Sequence, residues 1–267
     1  MSAIDPAEVE SLVLQTWEFA DPAGSGERFR LLAQGHPASG VLLTQYARAS
    51  GLAGEFETGS AVLDSIARDP ADDHLAARIA IERGRMANSS GELPAARPLF
   101  EEAEMRARAA GLTALAIDAV HMQSIVAGGR GDHAEAEALL RAALAEADAA
   151  TDPAASRWRA SLLNNLGWTL ADSDRWSEAL AAFEQAVERR RELGSGVLPA
   201  RWAQARALRA LGRDDEARTI QRELLAEDPA DPYVREAWTP WELATEHVGS
   251  SRLNTLRARD CALGPRD

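Results

Sequence analysis

Histidine and cysteine, the residues that most often hold catalytic metals, are too few and too scattered here to form a site. The five histidines are His36, His74, His121, His133 and His247. They show neither H-x3-H nor H-E-x2-H spacing, the patterns that bring two imidazoles onto one helix face. The single cysteine, Cys261, excludes an internal disulfide and disfavours a cysteine-based zinc site. The sequence therefore predicts no metal.

Two further patterns resemble chemistry but have a simpler explanation. Gly129, Gly131 and Ala134 fit a loose G-x-G-x-x-A phosphate motif, yet they follow a helical run and not the strand that this motif requires. We interpret them as a turn between helices. Most carboxylates stand three or four residues from an arginine, as Glu102 does from Arg106, which is typical of solvated helix surfaces. We predict no catalytic residues and no cofactor, and an enzyme is the least favoured class.

The charge balance narrows the range of partners. The net charge is −13, and every basic residue apart from histidine is arginine. A chain this acidic is repelled by phosphate backbones and anionic lipids, so we expect neither nucleic acid nor membrane as a partner. It has no run of 18 apolar residues, and its N-terminus is acidic and lacks a signal-peptide pattern. We expect a cytoplasmic protein.

Small residues recur along the chain at regular intervals of 37 to 43 residues. The five that anchor the pattern are Gly59, Ala96, Ala136, Ala179 and Ala217. Another small residue stands twelve positions before each of them: Ala47, Gly84, Ser124, Gly167 and Ala205. A period in this range is typical of helix pairs that each bury one face on their neighbours.

The clearest copy covers residues 164–186. Gly167 lies inside a helical run, where glycine costs about 1 kcal/mol relative to alanine and so needs a packing reason. We predict that a second, antiparallel helix crosses close to it and presents Ala179 at the contact.

These residues resemble the tetratricopeptide repeat, whose pattern is W-x2-L-G-x2-Y followed by A-x3-F and P. The best match has Leu166, Gly167, Ala179 and Phe183 in the matching positions. The resemblance implies an all-α fold, a right-handed α-solenoid of about five helix pairs. The predicted repeats span 40–71, 77–110, 117–150, 160–193 and 198–231. Capping helices in 1–39 precede this 40–231 array, and an end helix with a frayed tail follows in 232–267.

In this family the first helix of each repeat lines a concave groove. By that resemblance, the predicted peptide-binding residues are Arg48, Arg85, Asn88, His121, Asn164, Trp168, Trp202, Arg206 and Arg209. Arginine binds carboxylates in a bidentate manner, asparagine can hold an extended backbone, and tryptophan provides apolar anchors. The sequence leaves open whether Trp168 and Trp202 face the groove or the core. It also leaves open whether the arginines only pair with neighbouring carboxylates and whether His121 is an interior residue.

The resulting hypothesis is a non-catalytic scaffold that binds a protein segment or peptide, acidic or ending in a free carboxylate. The alternative is a regulatory module of a bacterial signalling system that senses a peptide or small ligand. An enzyme is the third possibility.

Overall fold

The computed structural model describes residues 6–18, 21–66, 72–229 and 234, and these residues form helices and turns without a β-strand. The first seven helices are α1 (Pro6–Thr16), α2 (Pro22–Leu32), α3 (Ser39–Leu52), α4 (Phe56–Ser65), α5 (Asp73–Ser89), α6 (Leu93–Ala109) and α7 (Thr113–Gly129). The remaining six are α8 (His133–Ala149), α9 (Pro153–Ser156), α10 (Trp158–Ala171), α11 (Trp176–Glu192), α12 (Leu198–Ala210) and α13 (Asp214–Glu227). The predicted all-α class of tetratricopeptide-like helix pairs is confirmed.

The chain forms two compact units, which divide between Arg130 and Gly131. Unit 1 contains α1 to α7, and unit 2 contains α8 to α13. The division falls inside the predicted repeat at 117–150. The predicted arrangement of end segments around a 40–231 array stays a prediction, and the end helix expected in 232–267 lies, apart from Val234, outside the described residues.

The core cluster shared by α5, α6 and α7 is rich in alanine and contains the ring of Phe100. Ala77, Ala96 and Ala103 are fully buried around Phe100, which α6 directs at α5. A Cβ atom added at Gly84 of α5 would lie 2.5 Å from Cε1 of that ring. Glycine is therefore required at this position because the phenylalanine ring rests directly on the helix backbone.

Unit 2 repeats this contact between α10 and α11. A Cβ atom at Gly167 would lie 2.4 Å from Cε1 of Phe183. The close approach predicted at Gly167 is therefore present, but its partner is the Phe183 ring and not Ala179. Ala179 lies one turn earlier on α11 and is fully buried in the same interface.

The turns that join successive helices share one backbone feature. Five positions before each anchor residue, φ is positive: Gly54, Gly91, Gly131, Asp174 and Gly212. Glycine adopts this left-handed conformation without steric cost, whereas other residues do so at some expense. Asp174, with φ of 55°, is the one non-glycine residue with positive φ in the part of the chain that the structure describes.

Candidate functional site

The first helices of unit 1 share a buried ionic cluster centred on Arg85 of α5. Its Nη1 donates to Glu82 Oε1 at 2.5 Å, one turn back on the same helix. Its Nη2 donates to both carboxylate oxygens of Asp118 on α7, each at 2.6 Å. Glu82 and Asp118 are themselves buried, so buried salt bridges join α5 to α7, while the Nε atom of Arg85 has no hydrogen-bond partner among the described residues.

Burial and the neighbouring charges shift the pKa values of Arg85 and Asp118 in opposite directions. Burial raises the pKa of the Asp118 carboxyl, but Arg85, with Arg48, outweighs burial and holds the pKa below its usual value. The Asp118 carboxyl therefore stays ionised at neutral pH. Burial lowers the pKa of the Arg85 guanidinium, yet Asp118 and Glu82 raise it above its usual value. Arg85 and Asp118 are therefore charged throughout the neutral range.

Arg48 and His121 lie beside the same cluster and respond differently. Burial, with a contribution from Arg85, lowers the pKa of the Arg48 guanidinium to about 10, so it remains a cation at neutral pH. Burial lowers the pKa of the fully buried His121 imidazole to about 4. Histidine at this position is a neutral interior residue at pH 7.

Three of the predicted residues, Arg48, Arg85 and His121, are thus brought together in unit 1, with Arg85 paired and His121 interior, which are states that the sequence had left open. Arg85 already holds two carboxylates, and His121 is inaccessible. Asn88 is half-buried near the C-terminal end of α5. The sequence reasoning missed Glu82; the available signal was its position three residues before Arg85, which places both on one helix face.

The predicted residues of unit 2 centre on two indoles in a tilted ring contact. The ring centroid of Trp168 lies 5.1 Å from that of Phe183 in an edge contact and 5.8 Å from that of Trp202. Trp168 is 5 % exposed, and Asn164 beside it on α10 is 2 % exposed. Trp168 therefore occupies the core position that the sequence left open, whereas Trp202 on α12 is only half-buried.

The two predicted binding residues Arg206 and Arg209 of α12 contact different neighbours. The Arg206 guanidinium carbon lies 5.9 Å from the centroid of the Trp202 ring, within range of a cation–π contact. Arg209 donates from Nη2 to Gln221 Oε1 of α13 at 2.8 Å, and burial lowers its pKa. Gln221 stands where the other repeats have phenylalanine or leucine. Its polar side chain allows Arg209 to form this hydrogen bond with α13.

No group of three or more His, Cys, Asp or Glu side chains within the described ranges is arranged to hold a metal ion. No helix among the described residues has both the length and the apolar character needed to cross a membrane.

The fold and these helix pairs define a helical repeat protein. Two family models of the tetratricopeptide repeat match the chain, one over residues 123–192 and one over 164–232. The chain contains tetratricopeptide repeats, and the resemblance inferred from Gly167, Ala179 and Phe183 is confirmed. No curated protein matches the chain in sequence.

Solved structures support the same fold. BtubC (BKLC) from P. vanneervenii is 17 % identical with a TM-score of 0.60, over 83 % of this chain and 92 % of that one. A putative kinesin light chain of Podosopora anserina with TPR-like repeats is 18 % identical with a TM-score of 0.55, over 69 % and 92 %. NprR in complex with its cognate peptide NprX is 14 % identical with a TM-score of 0.58, over 94 % and 78 %. The tetratricopeptide fold is typical of scaffolds for protein–protein interaction.

Proposed function

We propose that this chain is a non-catalytic scaffold that binds an acidic segment, or a segment ending in a free carboxylate, on the α12 surface of unit 2. The observation that carries the proposal is the arrangement of Trp202 and Arg206. A half-buried indole and a guanidinium in cation–π range of it lie on the first helix of a repeat. Aromatic and arginine side chains dominate the binding energy of protein interfaces.

The geometry suits a carboxylate for two reasons. A guanidinium that stacks on an indole directs its N–H groups along its own plane, so it can still donate to a carboxylate at its edge. Trp168 packs against the Trp202 ring and restricts its movement. This lowers the conformational entropy cost of ordering Trp202 when a partner binds.

A direct test uses immobilised full-length protein and three pools of random fluorescent decapeptides. The first pool ends in Asp with a free carboxylate, the second has the same composition with an amidated end, and the third is neutral and amidated. We expect the first pool to be retained most strongly, the second less strongly and the third least. Equal retention of all three pools would contradict a carboxylate-reading surface.

Charge reversal locates the site. Arg206→Glu with Arg209→Glu should abolish retention of the acidic pools while the helical circular-dichroism signal is unchanged. The matched control is Arg218→Glu with Arg222→Glu, which makes the same charge change on the exposed face of α13. If both double variants lose binding equally, the effect is general repulsion and the α12 surface is not the site.

A second candidate is the sensing of a free peptide by a regulatory module. NprR, which shares the fold, is known in complex with its cognate peptide NprX, and this favours the candidate. Small-angle scattering during titration with a retained peptide would distinguish the two functions. A sensor should change its radius of gyration on binding, whereas a rigid scaffold should not.

A further inference from the structure

Helix α1 is attached to unit 1 by a small apolar contact. Val9 and Val13 are its buried side chains, and they pack in one cluster with Phe29 of α2 and Leu42 of α3. Leu12 of α1 and the adjoining Trp17 pack half-buried against this cluster. The rest of α1 is half-buried or exposed where its side chains are described. Since α1 has eleven residues, it is too short to be a stable helix by itself and depends on this attachment.

A carboxylate on α1 extends the attachment to α5. Glu10 Oε1 lies 3.0 Å from Nε2 of His74, and Glu10 Oε2 accepts a short hydrogen bond from Nη2 of Arg78. Burial raises the pKa of Glu10, but Arg78 and His74 outweigh it and lower the pKa to about 2. The carboxylate of α1 is thus captured by two basic side chains of a first helix.

An indole makes the second polar contact. Trp17, directly after α1, donates from Nε1 to Gln45 Oε1 of α3 at 2.9 Å, and its ring lies 5.3 Å from Phe29. The guanidinium carbon of Arg48 lies 5.6 Å from the centroid of the Trp17 ring. The indole therefore covers one of the arginines that the sequence predicts to face a partner.

The residues that hold α1 belong to the predicted binding face of these first helices. On α5, positions 74, 78, 81, 85 and 88 follow each other at intervals of four, three, four and three, so they share one helix face. Arg85 and Asn88 were predicted to line the groove from that face, and His74 and Arg78 are its N-terminal continuation. We call His74 and Arg78, together with Gln45 and Arg48 of α3, the α1 receptor surface.

We propose that residues 6–18 are an intramolecular ligand on the α1 receptor surface, and that this surface binds partner helices carrying a carboxylate and an indole seven residues apart. Glu10 and Trp17 have this spacing, which places both on one face after two helical turns. A partner helix of the same chemistry displaces α1 and takes over its contacts with Arg78, His74, Gln45 and Arg48. This second site lies in unit 1 and does not depend on the α12 surface.

The exchange is physically accessible because few side chains hold α1. Segments with little buried apolar surface open locally at a lower free energy than the whole domain. Because α1 is covalently linked to unit 1, its effective concentration at the α1 receptor surface is high. A free peptide that competes for this surface therefore binds weakly to the intact chain. Loosening α1 should therefore reveal an affinity that the intact chain conceals.

The probe is a fluorescein-labelled synthetic peptide with the sequence of residues 6–18. The full-length variant Glu10→Gln/Trp17→Ala, whose own α1 is weakened, should bind it at least about tenfold more tightly than the unsubstituted chain does. The control variant Ser11→Ala/Gln15→Ala changes the exposed face of α1 and should behave like the unsubstituted chain. A control peptide carrying the Glu10→Gln and Trp17→Ala changes should bind neither protein.

Hydrogen exchange on the unsubstituted chain tests the same proposal without any variant. An excess of the probe peptide should speed the exchange of amides in 8–16 and leave those of α5 unchanged, whereas the control peptide should alter neither. If the double variant binds no more tightly, or if the probe peptide does not speed exchange in α1, then α1 is a fixed structural cap and the proposal is wrong.

Discussion

The ring of Phe183 occupies the space that a side chain at Gly167 would need. Cε1 of the ring would lie 2.4 Å from an added Cβ atom, well inside van der Waals contact. Phe100 and Gly84 reproduce the relationship in unit 1 at 2.5 Å, with the same separation of sixteen residues. In both units, one glycine and one ring determine how closely the two helices of a pair approach.

Gly167→Ala should destabilise unit 2 by about 1–3 kcal/mol, because the new methyl group forces the Phe183 ring out of its position. Thermal unfolding followed by circular dichroism should show a melting temperature lower by several degrees. Adding Phe183→Leu should recover part of the loss, since leucine can withdraw from the methyl group.

Gly128→Ala on α7 is the matched control for this change. An added Cβ atom at Gly128 meets nothing within 4 Å, so only the gain in helix propensity remains. We expect a stability increase of up to about 1 kcal/mol. Equal effects of the two alanine substitutions would show that the Phe183 contact does not determine the need for glycine.

Asp174→Gly should stabilise the chain. Asp174 has φ of 55° and occupies the turn position where four other repeats have glycine. Its side chain is exposed, so removal costs little packing, and relief of the left-handed strain should yield about 1 kcal/mol. Chemical denaturation should show a higher midpoint with an unchanged slope; a lower midpoint would mean that Asp174 makes a stabilising local interaction.

His121 should make unit 1 sensitive to mild acid. Its pKa is about 4 when folded, against 6.5 for a free imidazole, so the unfolded chain binds more protons between these values. Stability due to His121 is therefore complete above pH 6.5 and falls as pH decreases towards 4. His121→Gln should flatten the dependence of the unfolding free energy on pH in this window, while the effect of Glu10, which titrates between 4.5 and about 2, remains.

Asp118→Asn should destabilise unit 1 by roughly 3 kcal/mol, because it leaves the Arg85 guanidinium with one carboxylate in a buried setting. The control is Glu101→Gln, which removes a carboxylate from the exposed pair with Arg97 on α6. Surface pairs contribute about 0–1 kcal/mol, so this variant should unfold almost like the parent chain. Similar urea midpoints for the two variants would rule out a structural role for the Arg85 cluster.

The helix pairs were predictable because close contact between helices limits the residue types that fit. Gly84 and Gly167 had to be small for geometric reasons, and that requirement is visible in one sequence. The exact partner was not visible, since Phe183 and Ala179 lie one turn apart on the same face. A small residue indicates that something approaches, without saying which side chain does so.

The candidate site was less predictable because charge pairing depends on distances across the fold. Arginines with a carboxylate three or four residues away occur throughout this chain, so Glu82 beside Arg85 looked like any surface pair. The link from Glu10 to Arg78 spans 68 residues and leaves no periodic trace. The direction of Arg209 follows from a single polar residue, Gln221, in an otherwise apolar position.

The pairing of Arg85 with both Glu82 and Asp118 also constrains how this chain can evolve. Losing Arg85 leaves two buried carboxylates without their shared partner, and losing either carboxylate leaves Arg85 and the neighbouring Arg48 to share the other, whereas replacing all of these residues together by apolar residues of similar size can be neutral or better. Each single substitution in this cluster therefore lowers the stability of the fold, although replacement of the whole cluster need not. We expect related chains either to keep all three residues or to lack all three, which makes the cluster a marker of common descent.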